Sequence, residues 1–200
     1  MGLNATEGHS YSNKSGFDRG HVAPSENRNR TRKDQLATFF TTNVLPQDDT
    51  SNRNGMWRKF EEFSRDLVLK RGWELYIIAG GTGSGNEEIG NDNSLNQNNI
   101  NIPETTWKII VILEPGQGLA DITENTPIIA VNLPNYPIGR KDPDVPPIYT
   151  WEDYITTIGS IEETSSLNFL SNLPLSDEIK RQIKNSQYLG PTTIENFPFV

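Results

Sequence analysis

Residues 17–21 read Phe17-Asp18-Arg19-Gly20-His21, and they contain one of the two histidines in the chain. A short apolar run over residues 36–43, rich in aromatic and β-branched types, predicts a strand. Apolar side chains recur at helical spacing over residues 57–70, which predicts a helix there. A histidine on one strand, a second strand and a helix preceded by asparagines would place a base opposite a metal ion.

Four motifs follow one another in this region: Asp18-Arg19-Gly20-His21, Thr42-Asn43-x-x-Pro46-Gln47, Asn52, and Trp57-x-x-x-Glu61-x-x-x-Arg65. Together they resemble the DNA/RNA non-specific endonuclease family, the ββα-metal or His-Me finger nucleases, and the cyanobacterial nuclease A type above all. The resemblance extends over roughly residues 18–173. The first motif alone is a weak indication, whereas four motifs in this order with nearly the family spacing are specific.

Bulk composition sets limits on the kind of protein. The 200 residues suffice for one domain with a sizeable core. The absence of cysteine excludes thiolate zinc sites, a cysteine nucleophile and disulfides. No stretch of the sequence approaches the apolar length of a membrane span, so we expect no membrane partner.

Charge is distributed unevenly along the chain. The net charge of −8 argues against a passive nucleic-acid binder. Residues 14–71 nevertheless carry a net charge of +4, and residues 72–200 carry −11. Within the positive part, residues 26–35 form a basic polar connector. Phosphate contact and a solvated loop explain this connector equally well.

His21 is the candidate general base. Hydrolysis of a phosphodiester needs a nucleophilic water, neutralised charge at phosphorus and a proton for the departing 3′-oxygen. Neutral imidazole suits the first task near neutral pH. The alternative for His21 is a buried histidine that satisfies a turn. His9 lies among small polar residues, where a solvated loop histidine is the expected role.

The resemblance implies further roles for residues of the four motifs. It implies Mg²⁺ as the cofactor, with Mn²⁺ able to substitute, held by the carbonyl of Asn52 together with phosphate oxygens and waters. It implies the following roles for the other residues: Glu61 orients metal-bound waters, Arg19 and Arg65 donate to phosphate, Asn43 holds His21 or its loop, and Asp18 braces the turn. For Glu61 and Arg65 the alternative is an ordinary i,i+4 ion pair on a solvated helix face.

One spacing departs from the family. Nine residues separate Asn52 from Glu61, whereas family members usually have eight. In a continuous helix, Asn54 rather than Asn52 would share the face of Glu61. We predict that Gly55 absorbs the extra residue before the helix, and that Asn52 still faces His21. The alternative is that Asn54 is the metal ligand.

The remaining chain predicts an α+β fold. The resemblance implies a central antiparallel sheet with packed helices and the ββα-metal motif. The sequence itself predicts, in order, a buried strand over 75–79, a long hairpin loop up to residue 101, strands over 107–113 and 128–133, an irregular segment over 134–147, a helix over 151–157 capped by Thr150, and segments at 169–170 and 179–183 that pack on the core.

The expected domain organisation is a polar N-terminal loop over residues 1–16, an endonuclease domain over 17–189 and a loose tail over 190–200. Family members carry a core strand and a phosphate-binding arginine before the first motif, and residues 1–16 offer neither. We therefore expect a truncated N-terminus, an uncovered sheet edge with exposed apolar surface, and low stability and activity. The family resemblance implies secretion or a periplasmic location, although the N-terminus does not have the pattern of a signal peptide.

These observations predict a metal-dependent, sugar-non-specific endonuclease that cleaves DNA and RNA to 5′-phosphate products. Cleavage of both DNA and RNA, whose sugars differ, is implied by the resemblance alone. We expect backbone contacts without sequence specificity, a monomer, and room for a protein inhibitor. Two alternatives are an inactive or truncated nuclease fold that binds nucleic acid, and a metal-dependent phosphodiesterase for small substrates.

Overall fold

The structure is a computed structural model, and it describes residues 17–48, 52, 55–84, 100–135 and 149–200. The strands are β1 Phe17–His21, β2 Val44–Asp48, β3 Glu74–Thr82, β4 Thr105–Leu113, β5 Ile128–Pro134 and β6 Ile155–Thr156. The α-helices are α1 Arg32–Ala37, α2 Met56–Arg71, α3 Ile158–Ser165 and α4 Asp177–Asn185. This mixture of helices and antiparallel strands confirms the predicted α+β class.

The larger sheet has four antiparallel strands in the order β3-β4-β5-β6. Its second strand, β4, is buried on both faces, because α2 covers one face and α3 and α4 cover the other. Ile110 and Ile112 pack on the α2 side, whereas Trp107 and Ile109 pack on the opposite side. The strands predicted over 107–113 and 128–133 are confirmed.

Helix α2 confirms the helix predicted over residues 57–70. Its buried apolar side chains, three or four residues apart, form the stripe that packs on the sheet: Trp57, Phe60, Phe63 and Leu67. The helix ends at Gly72, which adopts the left-handed conformation with φ of 86°.

The strand predicted over residues 36–43 is wrong. Residues 32–37 form α1 instead, and the Oγ1 of its N-cap Thr31 accepts a hydrogen bond from the Asp34 N–H. The paired strand begins only at Val44, and β2 pairs antiparallel with β1. Part of the connector expected as loop is therefore helical, because a capped helix start outweighed the β propensity of the aromatic run that follows.

Strand β3 contains the strand predicted over 75–79, but its burial is not as predicted. Tyr76, Ile77 and Ile78 are 38%, 39% and 37% exposed. Within the described residues β3 pairs only with β4, so it forms the edge of the sheet. An apolar run predicts a strand, but it does not specify whether neighbours cover that strand.

The helix predicted over residues 151–157 is wrong. A short 3₁₀ turn, Trp151–Tyr154, and then β6 replace the helix predicted over 151–157, because Ile155 pairs with Val131 of β5. Thr150 lies at the start of this turn, and its N–H donates to Asp153 Oδ2 at 2.7 Å.

The segment expected as a loose tail over residues 190–200 is packed against α2. Phe197 is 4% exposed and meets the Phe63 ring at a centroid distance of 5.9 Å. The Val200 N–H donates to the Arg71 carbonyl at 3.1 Å. Phe169 and Ile183, in contrast, are buried as predicted.

The predictions for residues 1–16, for most of the hairpin loop before residue 101 and for residues 136–147 lie outside the described residues. In the part of the chain that the structure describes, no helix is both long and apolar enough to cross a membrane.

Candidate active site

Strands β1 and β2 fix the position of His21. In their antiparallel register His21 lies opposite Val44, and Asp18 lies opposite Gln47. A Cβ atom at residue 20 would collide with the Gln47 side chain, which is buried against it. The glycine that precedes the histidine is therefore required for the close approach of the two strands.

Asn43 holds the loop that follows His21. Its Oδ1 accepts from the Ala23 N–H at 3.0 Å, and its Nδ2 donates to the Ala23 carbonyl at 2.9 Å and to the Thr38 carbonyl at 2.8 Å. The Val22 N–H also donates to the Asn43 carbonyl at 2.9 Å. The sequence suggested that Asn43 holds either His21 or its loop, and the hydrogen bonds of the Asn43 side chain go to the loop.

A cavity of about 420 Å³ lies between the histidine strand and α2. It brings together four of the six predicted site residues, which come from three separate segments: His21, Asn52, Glu61 and Arg65. Pro24, Ser25, Glu26, Arg58 and Glu62 complete the lining. Arg19 is exposed on β1 and does not line the cavity.

A second cavity, of about 460 Å³, lies between α3 and α4. Charged residues also line it, and two of them are paired, since Lys184 meets Glu162 at 2.7 Å. The cavity at His21 instead brings together four of the predicted site residues, and His21 Nε2 has no partner among the described residues. We therefore take the cavity at His21 as the candidate site.

The His21 imidazole has one ring nitrogen without a hydrogen-bond partner among the described residues. This nitrogen, Nε2, is buried. The ring makes a T-shaped contact with the Phe39 ring at a centroid distance of 4.9 Å. Burial lowers the pKa of His21, and the negative charge of Glu61 partly opposes that shift. Neutral imidazole is consequently the favoured form near neutral pH.

Asn52 lies on the cavity together with His21. Its Nδ2 donates to Asp18 Oδ2 at 3.2 Å, which leaves the carbonyl oxygen of the amide as the atom for a cation. Gly55 is extended, with φ of −106° and ψ of −156°, and α2 begins only after it. The predicted interruption at Gly55 is thus confirmed, whereas Asn54 lies outside the described residues.

Glu61 is not paired with the arginine one turn further along α2. Its Oε1 instead lies 3.2 Å from the Nζ of Lys108 on β4. Arg65 pairs with Glu26, at 2.7 Å between Nη2 and Oε2. The ordinary i,i+4 ion pair considered as an alternative is therefore not the observed arrangement.

Sequence reasoning missed Lys108. It is the one charged residue in the apolar run of β4, and its side chain is 2% exposed. A single charge within an otherwise buried strand is the signal that could have identified it, because such a charge needs a specific partner.

The donor atoms fit a hard cation with few protein ligands. Within the described residues there is no cluster of three or more histidine, cysteine, aspartate or glutamate side chains that could hold a metal. The cavity offers an amide oxygen from Asn52 and a carboxylate from Glu61. Mg²⁺ prefers oxygen ligands and keeps several waters, so this sparse set suits it.

Comparison with known proteins gives a family and several relatives. A family model described as DNA/RNA non-specific endonuclease matches residues 2–176. A nuclease of Nostoc sp. is 41% identical over 160 residues, which are 80% of this chain and 52% of that protein. The human mitochondrial endonuclease G is 29% identical over 165 residues, which are 80% and 50% of the two chains.

A solved structure supports the fold. The crystal structure of EndoG in complex with EndoGI, solved to explain the inhibition of EndoG, matches this chain. The TM-score is 0.57 and the sequence identity is 18%. The match covers 80% of this chain and 62% of that chain. This chain spans about half the length of the curated relatives that it matches.

Proposed function

Because the chain belongs to the DNA/RNA non-specific endonuclease family, we propose that it hydrolyses phosphodiester bonds of DNA and RNA without sequence specificity. One observation carries this proposal: His21, whose buried Nε2 has no hydrogen-bond partner among the described residues, lines the same cavity as Asn52 and Glu61. A candidate base and residues with oxygen donors thus line one common space.

His21 acts as the general base. Its Nε2 accepts a proton from the attacking water, which makes that water a better nucleophile. Asn43 fixes the loop after His21, so the ring is held without a direct bond that would occupy Nε2. The low pKa that burial gives the imidazole keeps this base unprotonated near pH 7.

Asn52 and Glu61 would hold a cation, which we take to be Mg²⁺, with Mn²⁺ as a substitute. Such a cation would supply positive charge beside the phosphorus and the leaving oxygen. The Asn52 carbonyl would be its protein ligand, and Asp18 orients that amide. Glu61 would hold waters around it. A water held by Glu61 would give a proton to the departing 3′-oxygen, and the products carry 5′-phosphates.

Two arginines donate to the substrate phosphates. Arg65 lines the cavity, and its partner Glu26 is 71% exposed, so a phosphate can displace this weak surface pair. Arg19 lies on β1, two residues from His21, and is exposed to solvent. Guanidinium groups are well suited to phosphate because of their forked donors.

The surface beside His21 suits a nucleic-acid strand. Phe39 and Phe40 are 58% and 62% exposed, and Phe39 touches the His21 ring. The exposed side chains of Arg32 and Lys33 lie on α1, which immediately precedes them. Bases stack on exposed aromatic rings and phosphates attract basic side chains, and neither contact depends on sequence.

We extend the proposal to an inhibitor, the oligomeric state and the location. The solved relative is a complex of EndoG with EndoGI, and a protein inhibitor of this chain could cover the same cavity. We further propose a monomer that acts outside the cytoplasm, in the periplasm or as a secreted protein.

Degradation of plasmid DNA and of single-stranded RNA in Mg²⁺, with and without a chelator, tests the proposal. We expect both to be cut to fragments with 5′-phosphates, and the chelator to stop cleavage. His21→Ala should reduce the rate by about 10²–10⁴-fold. Binding of DNA without cleavage would favour the inactive binding module, and undiminished cleavage by His21→Ala would reject the base.

A further inference from the structure

Lys108 is a buried charge in the middle of an apolar strand. Its side chain lies on the face of β4 that α2 covers, the same face as Ile110 and Ile112. In the strand register it stands between Ala79 of β3 and Val131 of β5. A charged group in such surroundings is unfavourable unless specific partners compensate it.

Both partners of the Lys108 ammonium come from α2. The Nζ lies 3.2 Å from Glu61 Oε1 and 4.0 Å from the centroid of the Trp57 ring. Trp57 and Glu61 are one helical turn apart, so they share a face of α2. The ammonium is therefore held between a carboxylate and an aromatic face, and both contacts favour its charged form.

The ion pair connects the centre of the sheet to the cavity. Glu61 lines that cavity with His21 and Asn52, and its side chain is 14% exposed. Lys108 contacts Oε1 of the same carboxylate that lines the cavity. Without this contact the flexible glutamate side chain could adopt several rotamers, and its carboxylate would have no fixed direction.

Stability does not account for this arrangement. Well-packed apolar residues in place of a buried ion pair often leave a protein equally stable or more stable. The neighbouring residues of β4 are of that apolar kind. The charge at position 108 is therefore better explained by what it does to Glu61. Burial lowers the pKa of Lys108 and the charge of Glu61 opposes that shift, which agrees with this mutual dependence.

We propose that Lys108 is a positioning residue of the active site, which fixes the Glu61 carboxylate in the orientation that binds the waters of a cation held by Asn52. This inference rests on the proposed function. Lys108 itself touches neither substrate nor cation, and it acts only through Glu61.

A double-mutant cycle between Lys108 and Glu61 tests this role. The variants are Lys108→Met, Glu61→Gln and the double variant, with Lys108→Arg as the conservative change. Lys59→Met, an exposed lysine on α2, is the matched control for loss of one positive charge. For each variant we would measure Mn²⁺ affinity by electron paramagnetic resonance, and kcat and KM for plasmid cleavage.

We expect Lys108→Met to weaken Mn²⁺ affinity by about tenfold or more and to lower kcat while KM changes little. Lys108→Arg should recover part of the loss, and Lys59→Met should behave as the wild type. In the Glu61→Gln background, Lys108→Met should change Mn²⁺ affinity and kcat by no more than about twofold. Wild-type affinity and kcat in Lys108→Met, or an equal loss in both backgrounds, would overturn the proposal.

If Lys108→Met does not fold, the double variant still decides, because it leaves no unpaired buried charge. A kcat equal to that of Glu61→Gln supports the role, and a kcat about tenfold lower overturns it. If the wild type binds Mn²⁺ but cleaves neither DNA nor RNA, the proposed function is wrong, and the cycle in Mn²⁺ affinity still tests Lys108. Cleavage without any Mn²⁺ binding would overturn the positioning role and the proposed cation site, whereas the hydrolysis itself would stand.

Discussion

At His21, burial and charge act on one imidazole in opposite directions. Desolvation disfavours the imidazolium and lowers the pKa of His21 from its ordinary value of 6.5, and the nearby Glu61 carboxylate raises it in part. The same two groups line one cavity, so the tuning of the base and the binding of the cation depend on shared residues.

The first prediction concerns the titration of His21. Because the pKa is lowered, neutral imidazole persists below pH 6.5. The midpoint of the acid limb of kcat/KM should therefore lie below pH 6.5. Glu61→Gln removes the opposing charge, so the pKa of His21 should decrease further. Proton NMR titration measures both values, and His9→Ala assigns the signal because the chain has only two histidines.

The matched control for this titration is Glu62→Gln, which removes the same charge from the next residue of α2. Glu62 is paired with Arg58 at 2.8 Å, and we expect little change in the His21 pKa. A pKa above 6.5 in the wild type, or a rise in Glu61→Gln, would contradict the electrostatic account.

The second prediction separates the two candidate metal ligands. Asn52→Ala removes the amide that lies on the cavity, so it should abolish Mn²⁺ binding and Mg²⁺-dependent cleavage. Asn54→Ala should retain both. Isothermal titration with Mn²⁺ makes the comparison, with cleavage as the second readout. Loss of binding in Asn54→Ala with retention in Asn52→Ala would assign the ligand to Asn54.

At the scale of elements, two strands and a helix carry the chemistry, and short segments supply the surroundings. Strands β1 and β2 place His21, and α2 places Glu61 and Arg65 opposite it. Helix α1 adds basic side chains to the surface near Phe39. The net positive charge of this part of the chain thus coincides with the site, although the molecule as a whole is acidic.

The third prediction concerns the basic side chains of α1. If Arg32 and Lys33 contact phosphates, Arg32→Gln/Lys33→Gln should reduce the slope of log affinity against log salt by about 2. The measurement is fluorescence anisotropy with duplex DNA in the cleavage-deficient His21→Ala background. Lys180→Gln/Arg181→Gln on α4, on the other side of the sheet, is the charge-matched control. An equal change of this slope in both double variants would show only a general effect of charge.

At the scale of the whole molecule, the C-terminal residues stabilise the helix that carries Glu61. Phe197 packs on Phe63, and the Arg71 Nε donates to the Ile194 carbonyl at 2.7 Å. The Trp73 Nε1 donates to the Pro198 carbonyl at 3.0 Å. These contacts lie around the C-terminal half of α2 and the residues after it, whereas Glu61 lies in its N-terminal half.

The fourth prediction is that Phe197→Ala lowers the free energy of unfolding by about 3 kcal/mol, because it removes a buried aromatic side chain. Phe199→Ala is the control, since that ring is 74% exposed and the Arg71 guanidinium carbon lies 4.0 Å from its centroid. We expect it to cost about 0.5–1 kcal/mol. Urea unfolding measures both. Equal costs would mean that residues 190–200 are not packed as described.

Local sequence patterns determined the motif and the main elements of this protein. The period of apolar residues specified α2, and β-rich apolar runs specified β4 and β5, because periodicity within one segment reports its own backbone geometry. Gly20 and His21 were identifiable from sequence because a motif records residue types that a close strand pairing requires. Gly55 was identifiable because one extra residue in a continuous helix would turn Asn52 away from the face of Glu61, so the helix had to be interrupted between them.

Contacts between distant segments decided the rest, and no local pattern encodes them. The start of β2 depends on pairing with β1, the exposure of β3 depends on which strands lie beside it, and Phe197 is buried only because α2 offers a surface. Glu61 and Lys108 are 47 residues apart in the chain. Their pairing arises because α2 packs across the centre of the sheet, where a buried ammonium requires a carboxylate and a free carboxylate requires a fixed direction.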